Sequence, residues 1–163
     1  MIALYEGKSW LSLIIEKWHR SKYSHASEIA DDFSSEIEAY RKSGHWFSGC
    51  VQDVKPFSNH SPGTRVSLYE LRNPLTSGER QALWHFLRLQ VGKPYDYAGL
   101  FGFITRRENA GEGQDKWFCG ELTFAAYLHI KRPLLNGIDA HKVFPSMLSY
   151  STELMPVLSA ALP

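Results

Sequence analysis

Alternation of apolar and polar residues with a period of two is the feature that most constrains the fold of this chain. It is clearest in RVSLYELR, residues 65–72, and it recurs in YSHASEIAD and SEIEAY on either side of turn signals at Asp31 and Asp32. Successive side chains of a β-strand point to opposite faces, so these segments predict half-buried strands, the latter two paired as a hairpin. MIALYEG and residues 50–54 predict two further short strands.

Helical patterns separate and follow these strands. They combine apolar residues at helical spacing with caps such as the Thr76–Glu79 capping box. The predicted helices cover residues 10–20, 76–91, 95–104 and 119–130, with one further short helix in the tail. No linker or internal repeat interrupts the pattern. The sequence therefore predicts a single α+β domain over residues 1–163, with an antiparallel sheet packed against helices.

Charge and composition exclude several classes of function. The formal net charge is +1 and no block of like charges occurs, which argues against nucleic acid or an anionic membrane as an electrostatic partner. No apolar run is long enough for a transmembrane segment, and the N-terminus lacks the pattern of a signal peptide. We therefore expect a cytoplasmic protein with reduced thiols, or one exported by another route such as phage or secretion-apparatus delivery. No metal and no cofactor are expected, because neither paired ligand spacing nor a phosphate loop is present.

Cys119 occupies the first turn of a predicted helix in the stretch KWFCGELTFAAYLHI. The unpaired N–H groups and the positive dipole end at a helix N-terminus favour a thiolate, which lowers the pKa of the thiol and increases its nucleophilicity. The same N–H groups can stabilise an oxyanion, and Gly120 leaves room for a substrate to approach. The alternative is a buried core cysteine, a common environment for this residue type.

A thiol nucleophile normally needs a base, most often a histidine. His129 lies about 15 Å further along the same predicted helix, which excludes it. His25 is favoured because it begins a predicted strand and is flanked by the small residues Ser24 and Ala26. The remaining histidines occupy a helix end, a helix face or loop-like contexts: His19, His85, His45, His60 and His141.

Four motifs together resemble a known family. YSHASEI, EIEAY, GKPYDYAGLFGF and WFCGELTFAAY occur in an order similar to that of the circularly permuted, papain-like branch of the NlpC-type cysteine hydrolases, the YiiX-like proteins. In that branch the histidine precedes the cysteine, which reverses the papain order. The resemblance spans roughly residues 20–130 and implies a permuted papain-like fold with Cys119 and His25 as the catalytic pair.

The resemblance also implies a third catalytic residue, a polar side chain on the strand that follows the histidine strand. Glu38 matches that position, and hairpin pairing would place it opposite His25. Glu28, Glu36 and Asp53 remain alternatives on the residues alone. The third residue would orient the imidazole and stabilise its charged form.

Several residues near these motifs are candidates for substrate binding. The predicted set comprises Tyr23, Tyr95, Tyr97, Trp117 and Gly120. The resemblance implies that the YDY segment packs near the active cleft, although its tyrosines fit equally well as core aromatics. Trp117 is expected to shield the thiol from bulk water.

The function these patterns favour is a cysteine hydrolase that cleaves an amide bond by acyl transfer. The resemblance implies peptidoglycan-type peptides as the substrate class. Two alternatives remain open: a lipid acyltransferase, phospholipase or thioesterase that uses the same Cys–His pair, and a non-catalytic binding module with this fold. The sequence leaves the oligomeric state open.

Overall fold

A computed structural model describes residues 1–7, 22–41, 49–97 and 115–163 of the chain. These residues form a six-stranded antiparallel sheet with the spatial order β4-β3-β2-β1-β5-β6. The strands are β1 (Ile2–Glu6), β2 (His25–Ile29), β3 (Glu36–Arg41), β4 (Gly49–Val54), β5 (Arg65–Leu71) and β6 (Leu154–Ala161). The α+β class predicted from the sequence is confirmed.

Three α-helices accompany the sheet in the described part of the chain. They are α1 (Ser77–Gln90), α2 (Cys119–His129) and the short α3 (Pro145–Leu148), with a 3-10 helix at Ala140–Lys142 before α3. Helix α2 packs against β2, β3 and α1. None of these helices is long and apolar enough to cross a membrane. The predicted helix over residues 10–20, and most of the one over 95–104, lie outside the described residues.

Local sequence explains where the two long helices begin. Thr76 caps α1, and its backbone N–H donates to the Glu79 carboxylate at 2.8 Å while its hydroxyl accepts from the Glu79 N–H at 3.2 Å. This is the capping box predicted from the spacing. Helix α2 has a weaker version, in which the Phe118 N–H donates to the Glu121 carboxylate at 3.5 Å. The first turn of α2 therefore starts at Cys119, as expected.

The two faces of the sheet bury different side chains. On one face the strands pack against the helices through apolar residues that include Leu4 and Ala26. The other face carries Tyr5 and Ile29, and it also carries His25, which pairs with Tyr5 across the β1–β2 ladder. Strand alternation thus places His25 on the Tyr5 face, but because it is the first residue of β2 its ring also reaches Cys119 at the start of α2.

Strand β6 was not predicted from the sequence, which suggested only turns and one short helix in the tail. Pro156 interrupts the segment, and β6 is mostly exposed at the edge of the sheet, so it lacks the apolar alternation of an inner strand. Proline is tolerated at an edge because no ladder hydrogen bond is required of it there. Pairing with β5 shifts register between Leu68 and Tyr69, close to the proline's partner.

Candidate active site

His25 and Glu38 meet on one face of the sheet. In the β2–β3 ladder Glu28 pairs with Ile37 and Ile29 with Glu36. Extending this register places Tyr40, not Glu38, opposite His25, so the expected directly opposed pair is wrong in register. Glu38 is the diagonal neighbour instead, within reach of a long side chain. His25 Nε2 lies 2.5 Å from Glu38 Oε2.

Glu38 is held in its charged form although it is buried. Its side chain is 0% exposed, and its Oε1 accepts a hydrogen bond from Asn59 Nδ2 at 2.8 Å. Burial raises the pKa of Glu38, but the positive charge and hydrogen bond of His25, with a further contribution from His60, outweigh burial. The pKa therefore lies well below its usual range, and the carboxylate is a permanent acceptor at neutral pH.

The other three candidate carboxylates have different partners. Glu36 lies on the same face as Glu38, but it accepts from the Tyr5 hydroxyl at 2.5 Å. Glu28 lies on the helix-facing side and accepts from the Tyr127 hydroxyl at 3.1 Å. The last carboxylate, Asp53, is exposed and accepts from a serine hydroxyl. Among the four, Glu38 is the one that contacts the imidazole.

The Cys119 thiol lies within hydrogen-bonding reach of the His25 side chain. The side chain of Cys119 is 3% exposed, but its neighbours are polar: the His25 ring, the backbone N–H groups of Ala26 and Gly120, and the Tyr95 hydroxyl. The same imidazole contacts Glu38 through its Nε2. Three segments that are distant in sequence thus come together, and His25 interacts with both Cys119 and Glu38.

The pKa shifts of Cys119 and His25 favour a pair in which the thiol is negatively charged and the imidazole positively charged. Burial raises the pKa of Cys119, but the charge and hydrogen bond of His25 and the N–H groups of Ala26 and Gly120 lower it below its usual value. Burial lowers the pKa of His25, but Cys119 and Glu38 raise it well above its usual value. Both directions favour a thiolate beside an imidazolium, the reactive form of a nucleophilic cysteine.

Of the tyrosines predicted to bind substrate, Tyr95 lies beside the sulfur and Tyr97 lies beside Tyr95. Tyr95 is buried, its hydroxyl hydrogen-bonds to Cys119, and its ring centroid lies 5.0 Å from that of Tyr97. Short isolated β-bridges tie Tyr95 to Trp117 and Pro94 to Cys50, which fixes this segment beside the start of α2. Contact of these tyrosines with substrate stays a prediction.

Trp117 and Tyr23 direct their polar atoms elsewhere. Trp117 Nε1 donates to Gln90 Oε1 at 3.1 Å, which ties it to the end of α1. The Tyr23 hydroxyl donates to Ser67 Oγ at 2.9 Å, and Tyr23 packs in the helix-facing core. The expectation that Tyr23 shares a face with His25 is wrong, because β2 begins only at His25 and the alternation does not extend upstream.

Gly120 meets a different requirement from the one predicted. A Cβ built on it would lie 2.4 Å from the Val143 carbonyl oxygen and 2.8 Å from Pro145 N. That side of the glycine is therefore filled by backbone and offers no opening for a substrate. Glycine permits the close approach of α2 to the segment before α3, while its N–H faces the sulfur.

His60 belongs to the site, although its loop context gave no reason to choose it. Its ring stacks on Tyr5 with centroids 3.7 Å apart and an interplanar angle of 15°. Its Nε2 lies 3.4 Å from Glu38 Oε2, on the same carboxylate oxygen that contacts His25. In the described residues, His25, Glu38 and His60 form a group of potential metal ligands whose donor atoms all lie within 4.8 Å of one another.

Comparison with known proteins supports the fold and leaves the family open. No family model matches the chain, and no curated protein matches it. A solved structure described as metalloprotein yiiX from Escherichia coli O157:H7, DUF1105, aligns with a TM-score of 0.71 over 99% of this chain and 96% of that chain. The fold is YiiX-like. Because the two sequences are only 15% identical, this likeness concerns the YiiX-like fold alone.

Proposed function

We propose that this protein is a cysteine hydrolase of the circularly permuted, papain-like type that cleaves an amide bond by acyl transfer. Cys119 is the nucleophile, His25 is the base and then the acid, and Glu38 orients the imidazole. One observation carries the proposal: His25 interacts with the Cys119 thiol, and its Nε2 lies 2.5 Å from Glu38 Oε2. The motif order of the sequence supports the same assignment.

The first step is attack on the substrate carbonyl carbon. The thiol proton resides on His25, so the Cys119 sulfur attacks as a thiolate and forms a carbon–sulfur bond. The carbonyl oxygen takes the electron pair as an oxyanion. The Gly120 N–H in the first turn of α2 and the Tyr95 hydroxyl, which both already face the sulfur, are the donors that stabilise it.

The second step breaks the amide and regenerates the thiol. His25 donates its proton to the departing nitrogen, which leaves as an amine while Cys119 holds the acyl group as a thioester. Water then attacks the thioester, His25 accepts a proton from it, and the acid departs. Glu38 keeps the imidazole oriented and stabilises its positive form during both transfers.

The substrate class proposed is a peptide of the peptidoglycan type, and the family resemblance supports it. The 3% exposure of Cys119 means that a substrate must displace part of the surrounding surface to reach the sulfur. A lipid or thioester acyl donor would use the same chemistry, so substrate assays have to compare the three classes directly.

The yiiX structure is described as a metalloprotein, which raises the question of a metal in this chain. The residues that fit are His25, Glu38 and His60, because they offer two imidazoles and a carboxylate, and the His60 ring nitrogen is buried without a hydrogen-bond partner among the described residues. A cation bound there would supply positive charge beside Glu38. The acyl transfer above uses only groups of the chain itself.

The experiment compares the parent protein with Cys119→Ala and with Cys50→Ala, the latter as a control on the chain's other free cysteine. Each protein is incubated with muropeptides, short acyl thioesters and phospholipid vesicles, and the products and the intact protein are analysed by mass spectrometry. We expect amide cleavage and an acyl adduct on Cys119 in the parent and in Cys50→Ala, and neither in Cys119→Ala.

Two other outcomes are informative. Turnover of thioester or lipid without amide cleavage would replace the peptidase assignment with the acyltransferase or lipase alternative. If no adduct forms and Cys119→Ala matches the parent on all three substrates, the enzyme proposal is wrong and a binding module remains.

A further inference from the structure

His60 carries a buried ring nitrogen that has no hydrogen-bond partner among the described residues. The side chain is 8% exposed, and Nε2 lies 3.4 Å from Glu38 Oε2 without hydrogen-bond geometry. A buried polar atom without a well-formed hydrogen bond is costly to the folded state. Such atoms in folded proteins usually indicate an ion, a water or a functional role.

We propose that His25, Glu38 and His60 form a binding site for one divalent transition-metal cation of the zinc class. Their donor atoms lie within 4.8 Å of one another. Two imidazole nitrogens and one carboxylate oxygen are a ligand set that Zn²⁺ accepts, with a coordination position left for water. The soft thiolate of Cys119 is not part of this set.

Neighbouring residues hold the three ligands in place. The His60 ring is stacked on Tyr5, and Tyr40 stands edge-on to both imidazoles at 5.7 Å. Asn59 Nδ2 donates to Glu38 Oε1, which leaves Oε2 directed at the two histidines. Such outer contacts orient metal ligands and strengthen binding.

Metal binding and the catalytic arrangement use the same atoms. On binding, each coordinating imidazole nitrogen forms a bond to the metal, and any proton on that nitrogen is released to solvent. His25 Nε2 then no longer contacts Glu38 through a hydrogen. We infer that the metal-loaded protein is a resting form with little hydrolase activity. This consequence rests on the proposed function, whereas the binding itself does not.

The test measures binding directly. Chelator-treated protein is titrated with ZnCl₂ against a chromophoric competitor, and with CoCl₂ to record the visible spectrum. Variants are His60→Gln and, as a matched control, His85→Gln on the exposed face of α1. We expect one metal per chain in the parent and in His85→Gln, and affinity at least about tenfold weaker in His60→Gln. Cys119→Ala should bind as the parent does, and no thiolate-to-cobalt charge-transfer band should occur.

A second measurement needs no variant. Anomalous diffraction at the zinc edge from soaked crystals of the parent protein should place one ion between the three ligands. The proposal is overturned by unchanged affinity in His60→Gln, by a cobalt–thiolate band that Cys119→Ala removes, or by an ion found elsewhere. The failures are distinguishable: absent zinc binding with intact acylation of Cys119 rejects only the metal site, and zinc binding without acylation rejects only the hydrolase.

Discussion

Glu36 and Glu38 are two carboxylates on one strand with different surroundings. They lie two positions apart on β3, point to the same face and are 0% and 1% exposed. Glu36 accepts from the Tyr5 hydroxyl and the Phe57 N–H, which are neutral donors. Glu38 accepts from Asn59 and contacts His25, which is a titratable partner. Glu36 links β3 to the loop that contains Phe57, whereas Glu38 contacts the imidazole of His25.

The comparison teaches that residue type, strand position and burial do not assign a role. What differs is the partner that reaches each carboxylate from a distant part of the chain. Burial is costly for both, and both are compensated by two hydrogen-bond donors. Only the compensation at Glu38 comes from a group that can gain and lose a proton in the acyl transfer proposed here.

The largest expected difference between the two carboxylates is in the rate of Cys119 acylation. Glu38→Gln should lower it by about 10²- to 10⁴-fold, because a neutral amide no longer stabilises the His25 imidazolium or fixes its orientation. Glu36→Gln should stay within about threefold of the parent, because Glu36 contacts neither the ring nor the sulfur. The measurement is the burst of p-nitrophenolate from p-nitrophenyl acetate.

Circular dichroism and urea unfolding should show that both glutamine variants are folded under the assay conditions. Equal losses of burst rate in the two folded variants would erase the distinction between the carboxylates. They would also remove Glu38 from the proposed catalytic set.

A smaller effect, on stability, should appear on the Glu36 side. Tyr5→Phe removes the hydroxyl that donates to Glu36 but keeps the ring that stacks on His60. Leaving a buried carboxylate short of a donor should lower the free energy of unfolding by about 2 kcal/mol. Urea denaturation measures it, with Tyr150→Phe at a 75% exposed site as the control.

In the Tyr5→Phe variant the burst rate should change by less than about threefold once the protein is folded, because the hydroxyl does not contact His25. A large rate loss without a stability loss would show that the two carboxylates act as one unit, contrary to the comparison.

The sequence predicted the parts of this molecule that depend on local pattern. The alternation in β5, the capping box of α1 and the start of α2 at Cys119 are confirmed, because each rests on residues within one turn or one strand. The edge strand β6 was missed because its pattern is set by solvent and by pairing with β5. Features set by residues close in sequence were therefore predicted, and the strand that depends on solvent and on pairing with a distant segment was not.

The candidate site was only partly predictable, because some of its residues are placed by contacts between segments that are distant in sequence. His25, Glu38 and Cys119 were chosen, and the structure brings them together, although their catalytic roles stay a proposal. His60 was missed because its place depends on the loop after β4 folding back onto Tyr5, a contact 55 positions away that no local pattern encodes. Gly120 was chosen for an opening that backbone from residues 143–145 fills.

The smallest expected effect concerns a third carboxylate, Glu121, whose pKa is not lowered by any cation among the described residues. The pKa of Glu121 is raised to about 7, chiefly by burial. The hydrogen bond from the Phe118 N–H lowers this pKa, and the charge of Asp96 raises it further. The folded state therefore binds more protons than the unfolded state between pH 4.5 and about 7. Stability should fall as pH rises through that window.

Glu121→Gln should reduce this fall in the free energy of unfolding by about 1 kcal/mol across the window. The reduction is smaller than the full pKa shift implies, because solvent reaches the half-buried carboxyl and screens part of the effect. Urea denaturation at several pH values measures it, with Glu79→Gln as the comparison, since the pKa of Glu79 is lowered by its hydrogen bonds to Thr76 and Arg132. If the parent and Glu121→Gln give parallel stability profiles, Glu121 is as well compensated as Glu38. Differences in hydrogen-bonding and charged partners would then not explain why the buried carboxylates of this fold differ in pKa.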